Sequence, residues 1–157
     1  MGETNARTVA DYLIWFSREH GDPISNLKLQ KLLYYAQAWF LALYDVPLFD
    51  DAIEAWVHGP AVPRVYGAFK HCTWQPIGID VQKPELSAKV IAHLNEIMDV
   101  YGELTAFHLE RLTHSEPPWQ KARGGLAPDA MSRNVISTED MKQYYRSVAK
   151  ENDHQAG

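Results

Sequence analysis

The apolar positions of this chain fall into helical stripes along most of its length. Val9, Tyr12, Leu13 and Phe16 recur at helical spacing within residues 5–20, and Gly21 supplies a left-handed stop. After the turn Asp22-Pro23-Ile24-Ser25, with Ser25 or Asn26 as N-cap, the pattern predicts a helix over 26–45 with two apolar stripes. One stripe runs through Leu29, Leu32, Leu33, Ala36, Phe40 and Leu43, the other through Leu27, Tyr34, Ala38 and Leu41. A helix apolar on two sides touches neighbours on both, which makes this one the expected hub of the core.

The helical period breaks over Asp45–Asp51. Ile53, Ala55 and Val57 then alternate with Glu54 and Trp56 as a short strand does. Gly59-Pro60 is expected to end that strand in a sharp turn, since Pro pushes the residue before it out of the α region. Pro63 suits the first turn of a helix to Lys70. Ile77–Val81 is a second, weaker strand candidate. Helical spacing returns over 85–102 through Leu86, Val90, Leu94, Ile97 and Tyr101. Thr105 is placed to cap a helix over 106–114, and Pro117-Pro118 to open another capped by Ser115 or Glu116. Gly124-Gly125 and Pro128 mark a loop. Ser137 and Asp140 resemble a capping box before a last helix, 138–151, that packs through Met141, Tyr144, Tyr145 and Val148. The fold class is therefore mostly α: a single compact helical domain of six or seven helices with a small β element, spanning 1–157, with residues 152–157 as a frayed tail.

Composition supports a packed core: hydrophobic residues make up 46% of the 157, with five Trp and eight Tyr. Formal charge is -5 and no basic block exists, which argues against a nucleic-acid surface. No apolar run approaches a membrane span and no secretory leader is evident. A lone cysteine, Cys72, fits a reducing compartment, and the expected location is the cytoplasm.

Candidate chemistry is sparse. Cys72 lies beside His71, but sequence neighbours point apart and a thiol nucleophile needs a base placed by the fold. The seven histidines show no HExxH spacing, so no metal site, catalytic set or cofactor is assigned. One arrangement could still hold an enzyme, such as a hydrolase, with Glu54, His58, His114 and Glu116 gathered around the Gly59-Pro60 turn. The His114 ring is otherwise expected to cap backbone carbonyls beside Pro117-Pro118. Helix-borne aromatics are read as core, and Trp74 as exposed. Lys28, Lys31 and Tyr35 share one helix face, either a solvated edge or, with Arg64, a contact surface for a partner.

Three spaced signatures carry a resemblance that covers nearly the whole chain. The first is Leu-Lys-Leu-x-Lys-Leu-Leu-Tyr, with Leu27, Lys28, Lys31, Leu32 and Tyr34. The second is Ala-Trp-x-x-Gly-Pro-x-x-Pro-x-x-Tyr, with Trp56, Gly59, Pro60, Pro63 and Tyr66. The third is Thr-His-x-Glu-x-Pro-Trp, with Thr113, His114, Glu116, Pro118 and Trp119. In this order they make the chain resemble the SocA/GepA-type antitoxin family, also called the Panacea domain. The resemblance implies a helical fold with a small β element and a non-enzymatic role in toxin–antitoxin or prophage systems. It also implies a toxin protein as partner and, as for at least one member, delivery of that toxin to a Clp-type protease as a proteolytic adaptor. Many relatives carry an added domain, such as a DNA-binding one. The length here leaves no room for it, so promoter autoregulation is not expected. A homo-oligomeric interaction module without a toxin partner is the remaining alternative.

Overall fold

A computed structural model describes the backbone of residues 2–156 and the side chains of residues 2–152. Among these residues the chain forms seven α-helices and one two-stranded sheet: α1 Ala6–Glu19, α2 Asn26–Tyr44, β1 Glu54–Trp56, β2 Gly59–Ala61, α3 Pro63–Ala68, α4 Ala88–Tyr101, α5 Ala106–His114, α6 Pro117–Arg123 and α7 Thr138–Ala156. A 3₁₀ turn, Lys70–Cys72, follows α3. The part of the expected tail at 153–157 has side chains outside the described residues.

Helix α2 is the hub. Leu29, Leu32, Leu33, Tyr34, Tyr35, Ala36, Ala38 and Phe40 are all fully buried, and α1, α3, α4, α5, α7 and β2 each pack against it. Its ends follow local chemistry. The Ser25 hydroxyl accepts from Lys28 N, and Asp45 closes the helix in the left-handed region at φ 61°. Just beyond, Gln37 fixes the non-helical segment 45–51: its Oε1 accepts from Leu48 N at 2.8 Å and its Nε2 donates to Phe49 O at 2.7 Å. Thr105 and Ser137 cap α5 and α7 as the sequence predicts.

Four expectations are corrected. Gly59-Pro60 does not end the β element. It forms β2, antiparallel to β1, with Ala55 opposite Pro60, Trp56 opposite Gly59, and the turn at Val57-His58. Ile77–Val81 is not a strand; Ile77 N donates to Ile24 O beside a single bridge between Ser25 and Pro76, and the pairing goes no further. Helix α4 begins at Ala88 rather than 85, because Ser87 Oγ accepts from Val90 N and sets the start. Glu116 is the N-cap residue of α6 but makes no side-chain cap, since its carboxylate is held elsewhere.

The hairpin has a second neighbour. Ala55 N donates to Asn134 O and Ile136 N to Ile53 O, both at 2.8 Å. The loop between α6 and α7 is thereby tied along β1, which brings Met131–Arg133 to the hairpin. Arg123 fixes the near end of that loop. It is 3% exposed, and its guanidinium donates to the carbonyls of Ala55, Ala127 and Ala130.

Candidate functional site

The three sequence signatures meet in space. Gly59 sits at φ +115°, a region open to glycine but strained for other residues. A Cβ there would lie 3.0 Å from Thr113 Oγ1 and 3.3 Å from Lys31 Cε. The glycine is thus what lets the hairpin close on α2 and α5. Trp119 Nε1 donates to Trp56 O at 2.9 Å, joining α6 to β1. The His114 ring stacks on Trp119, with centroids 4.0 Å apart.

In front of this junction lies an open cavity of about 440 Å³. Helix α2 contributes Leu27, Gln30 and Lys31, the hairpin Trp56–Ala61, α3 Tyr66, and the loop before α7 Met131, Ser132 and Arg133. Its aromatic wall is built by Trp56 and Tyr66, edge to face at 5.0 Å. Trp56 is steadied by a bond from Nε1 to Glu54 Oε1 at 2.8 Å. At the rim His58 pairs with Glu110 at 3.0 Å and meets the ring of Trp74. Trp74 is 67% exposed, as the sequence predicts, and Met131 is 89% exposed.

Lys31 is 2% exposed, and its Nζ donates to Leu27 O at 3.1 Å. Burial lowers its pKa to about 8, against a smaller upward pull from Glu110. His114 is lowered by burial as well, opposed by Glu110 and the Val57 backbone. Its Nε2 has no hydrogen-bond partner among the described residues. The ring therefore stacks on Trp119 and meets the Val57 backbone of the hairpin rather than carbonyls beside Pro117-Pro118.

The acid of the third signature has a different setting. Glu116 is 7% exposed and accepts from Tyr34 and Tyr35 of α2, at 3.1 and 3.0 Å, and from Tyr145 of α7 at 2.5 Å. Burial raises its pKa, and the three hydroxyl donors pull it back. Tyr35 stacks on Tyr101, whose hydroxyl accepts from Trp39 Nε1 and is pushed up to about 12, mainly by burial.

The four residues of the enzyme alternative are not gathered. Glu54 is bound to Trp56, His58 to Glu110, His114 to the face of Trp119 and Glu116 to three tyrosines. Only His58 of the four lines the cavity. Among the described residues, no cluster of three His, Cys, Asp or Glu could hold a metal ion. The expected contact face is corrected too. Lys28 is 9% exposed with Nζ on Gly102 O, and Lys31 and Tyr35 are buried, so the helix presents no solvated edge there. Arg64 is the exposed member, 4.0 Å from Asp51. Sequence reasoning missed Arg123, Gln30 and Met131–Arg133; the only signal for Arg123 was a basic residue just before Gly124-Gly125.

A sequence profile of the family described as "Antitoxin SocA-like, Panacea domain" matches residues 29–120. The chain is 31% identical over 134 residues to the protein named Antitoxin SocA from Caulobacter vibrioides (strain NA1000 / CB15N), covering 77% of this chain and 71% of that protein. No solved structure matches the chain.

Proposed function

We propose, since the chain belongs to the family of SocA-like antitoxins with a Panacea domain, that it neutralises a toxin protein by direct contact through the face that holds the 440 Å³ cavity. One observation carries this reading. Leu27, Lys31, Trp56, Gly59, Pro60 and Tyr66 of the first two signatures line the cavity, while Thr113 and Trp119 of the third buttress the hairpin behind it. Around it the surface is apolar and exposed at Trp74 and Met131. Large apolar side chains left in water beside a preformed concavity are the usual anchors of a protein interface.

The test is co-expression and co-purification with the protein encoded beside this gene. Wild type should rescue growth and form a complex. Trp74→Ala combined with Met131→Asp should lose both while keeping its far-ultraviolet spectrum. Leu43→Asp is the control. Leu43 is 55% exposed on the same helix, and twelve residues of helix put it about 18 Å from Lys31; this variant should behave as wild type. Absence of a complex with wild type, or full rescue by the double variant, would overturn the proposal. Delivery to a Clp-type protease in the cytoplasm adds a separate expectation: rescue disappears in a strain lacking that protease although the complex still forms.

A further inference from the structure

The cavity has a charge pattern that its apolar walls do not explain. Its charged lining is cationic: Lys31 in its wall and Arg133 on the loop before α7, with no Asp or Glu among the lining residues. The chain as a whole is acidic, at -5, so this sign is a local feature. Lys31 also lacks a counter-ion. Among the described residues no carboxylate oxygen lies within 4.0 Å of its Nζ. Glu110, the acid that acts on it most, is bound to His58 instead. Lys31 Nζ donates one hydrogen bond, to a carbonyl of its own helix, and an ammonium has three N–H groups to satisfy. A buried ammonium without a counter-ion is unfavourable, and natural proteins seldom keep one without a partner for it. Burial lowers the Lys31 pKa to about 8, which still leaves the amine largely charged near neutral pH.

We infer that the cavity receives an acidic side chain of the partner protein. Its methylene groups lie against Trp56, Pro60 and Tyr66, its carboxylate meets Lys31 and Arg133, and the apolar residues beside it rest on Met131. The inference rests on the reading of this face as the partner-binding face and names the chemistry that face recognises. An acidic side chain fits better than an apolar one alone, because an apolar anchor would seal the ammonium away from water with no compensating charge. It fits better than a basic one, because two cations would then face a third.

The probe is an N-acetylated, C-amidated peptide, Gly-Ser-Leu-Glu-Phe-Ser-Gly, titrated into the ¹⁵N-labelled chain at pH 7. The Trp56 indole N–H and the amides of Gly59 and Ala61 should shift. A peptide with Gln in place of Glu should bind roughly tenfold or more weakly, since it leaves the charge of Lys31 unpaired. Lys31→Met, which keeps volume and removes charge, should shrink the difference between the two peptides to what Arg133 alone supplies. Arg133→Glu should weaken the Glu peptide and spare the Gln peptide; being on an exposed loop, it serves even if Lys31→Met does not fold. Equal binding of the Glu and Gln peptides, no shift with the Glu peptide, or shifts confined to other faces would overturn the inference. Two further outcomes separate it from the antitoxin reading. If the neighbour-encoded protein binds wild type, Lys31→Met and Arg133→Glu equally, the antitoxin reading stands and this inference falls. If the Glu peptide is discriminated but no neighbour-encoded complex forms, the reverse holds.

Discussion

Two buried ionisable residues set opposite slopes of stability against pH. The Lys31 amine has its pKa lowered by burial from 10.5 to about 8. Between those values the unfolded chain holds a proton that the folded chain has released, so stability rises with pH across that window. The full gain is about 3 kcal/mol, from about 2.5 units at 1.36 kcal/mol each. Lys31→Met should remove the rise and be at least as stable as the parent at pH 7, read by urea unfolding at pH 7, 8 and 9. Glu116 runs the other way: its raised pKa means that stability is fully present below the ordinary Glu value of 4.5 and is lost as pH climbs through the folded value. Its three tyrosine donors limit that loss. Tyr145→Phe removes one of them and should cost about 1.5–3 kcal/mol, the range for a hydrogen bond to a charged group. Burial also raises the Tyr34, Tyr35 and Tyr145 hydroxyls. In the unfolded chain these ionise first, so stability should fall steeply above pH 10, cutting short the Lys31 rise.

At the scale of elements, the hairpin depends on one backbone position. Gly59→Ala would place a Cβ at φ +115° against Thr113 Oγ1 and Lys31 Cε. Strain of this kind costs about 1–3 kcal/mol, before the contacts add theirs. Thermal unfolding should show that loss, and the Glu peptide should bind less well because the hairpin wall has moved away from α2. This hairpin is also where the sequence was hardest to read. The caps at Ser25, Thr105 and Ser137 were legible because each acts on a backbone N–H within its own first turn. The stripe of α7 was legible because burial repeats with the helical period, and α2 was legible as the hub because its two apolar stripes leave it buried at every position from 26 to 38, although Leu43, counted in one stripe, is 55% exposed. Strands of three residues show too little alternation, and Pro60, read as a breaker, pairs across from Ala55 at the edge of the sheet. Lys28 and Lys31 looked solvated by spacing and charge, yet Lys28 Nζ is held on Gly102 O and the hairpin packs along the Lys31 stem, which leaves Lys31 facing only the cavity. The cavity was beyond reach for a related reason. Its fourth wall, Met131–Arg133, has no periodicity and reaches the site only through the pairing of Asn134 and Ile136 with β1.

At the scale of the whole molecule, α7 closes the core around α2. Met141 and Tyr145 are buried, Tyr144 and Val148 pack partly, and the Tyr145 hydroxyl completes the set around Glu116. Outside that seam, Lys142 and Arg146 meet Asp45 at the end of α2, on the solvent side. The two kinds of contact should differ sharply in consequence. Exposed ion pairs are screened and cost side-chain freedom to hold, so Asp45→Ala should leave the unfolding midpoint nearly unchanged. Removing α7 at Ser137 should do far more. It would uncover Tyr34, Tyr35 and Trp39 and leave the Glu116 carboxylate short of a donor in a site no longer shielded. It would also free the loop that carries Met131–Arg133. The truncated chain should lose a single cooperative transition and bind a hydrophobic dye. It should fail to form a complex with the neighbour-encoded protein, whereas Asp45→Ala should keep it. A truncated chain that unfolds in one sharp step with native tryptophan emission would show that α7 covers the core without completing it, and that the cavity is supported from the α2 and hairpin side alone.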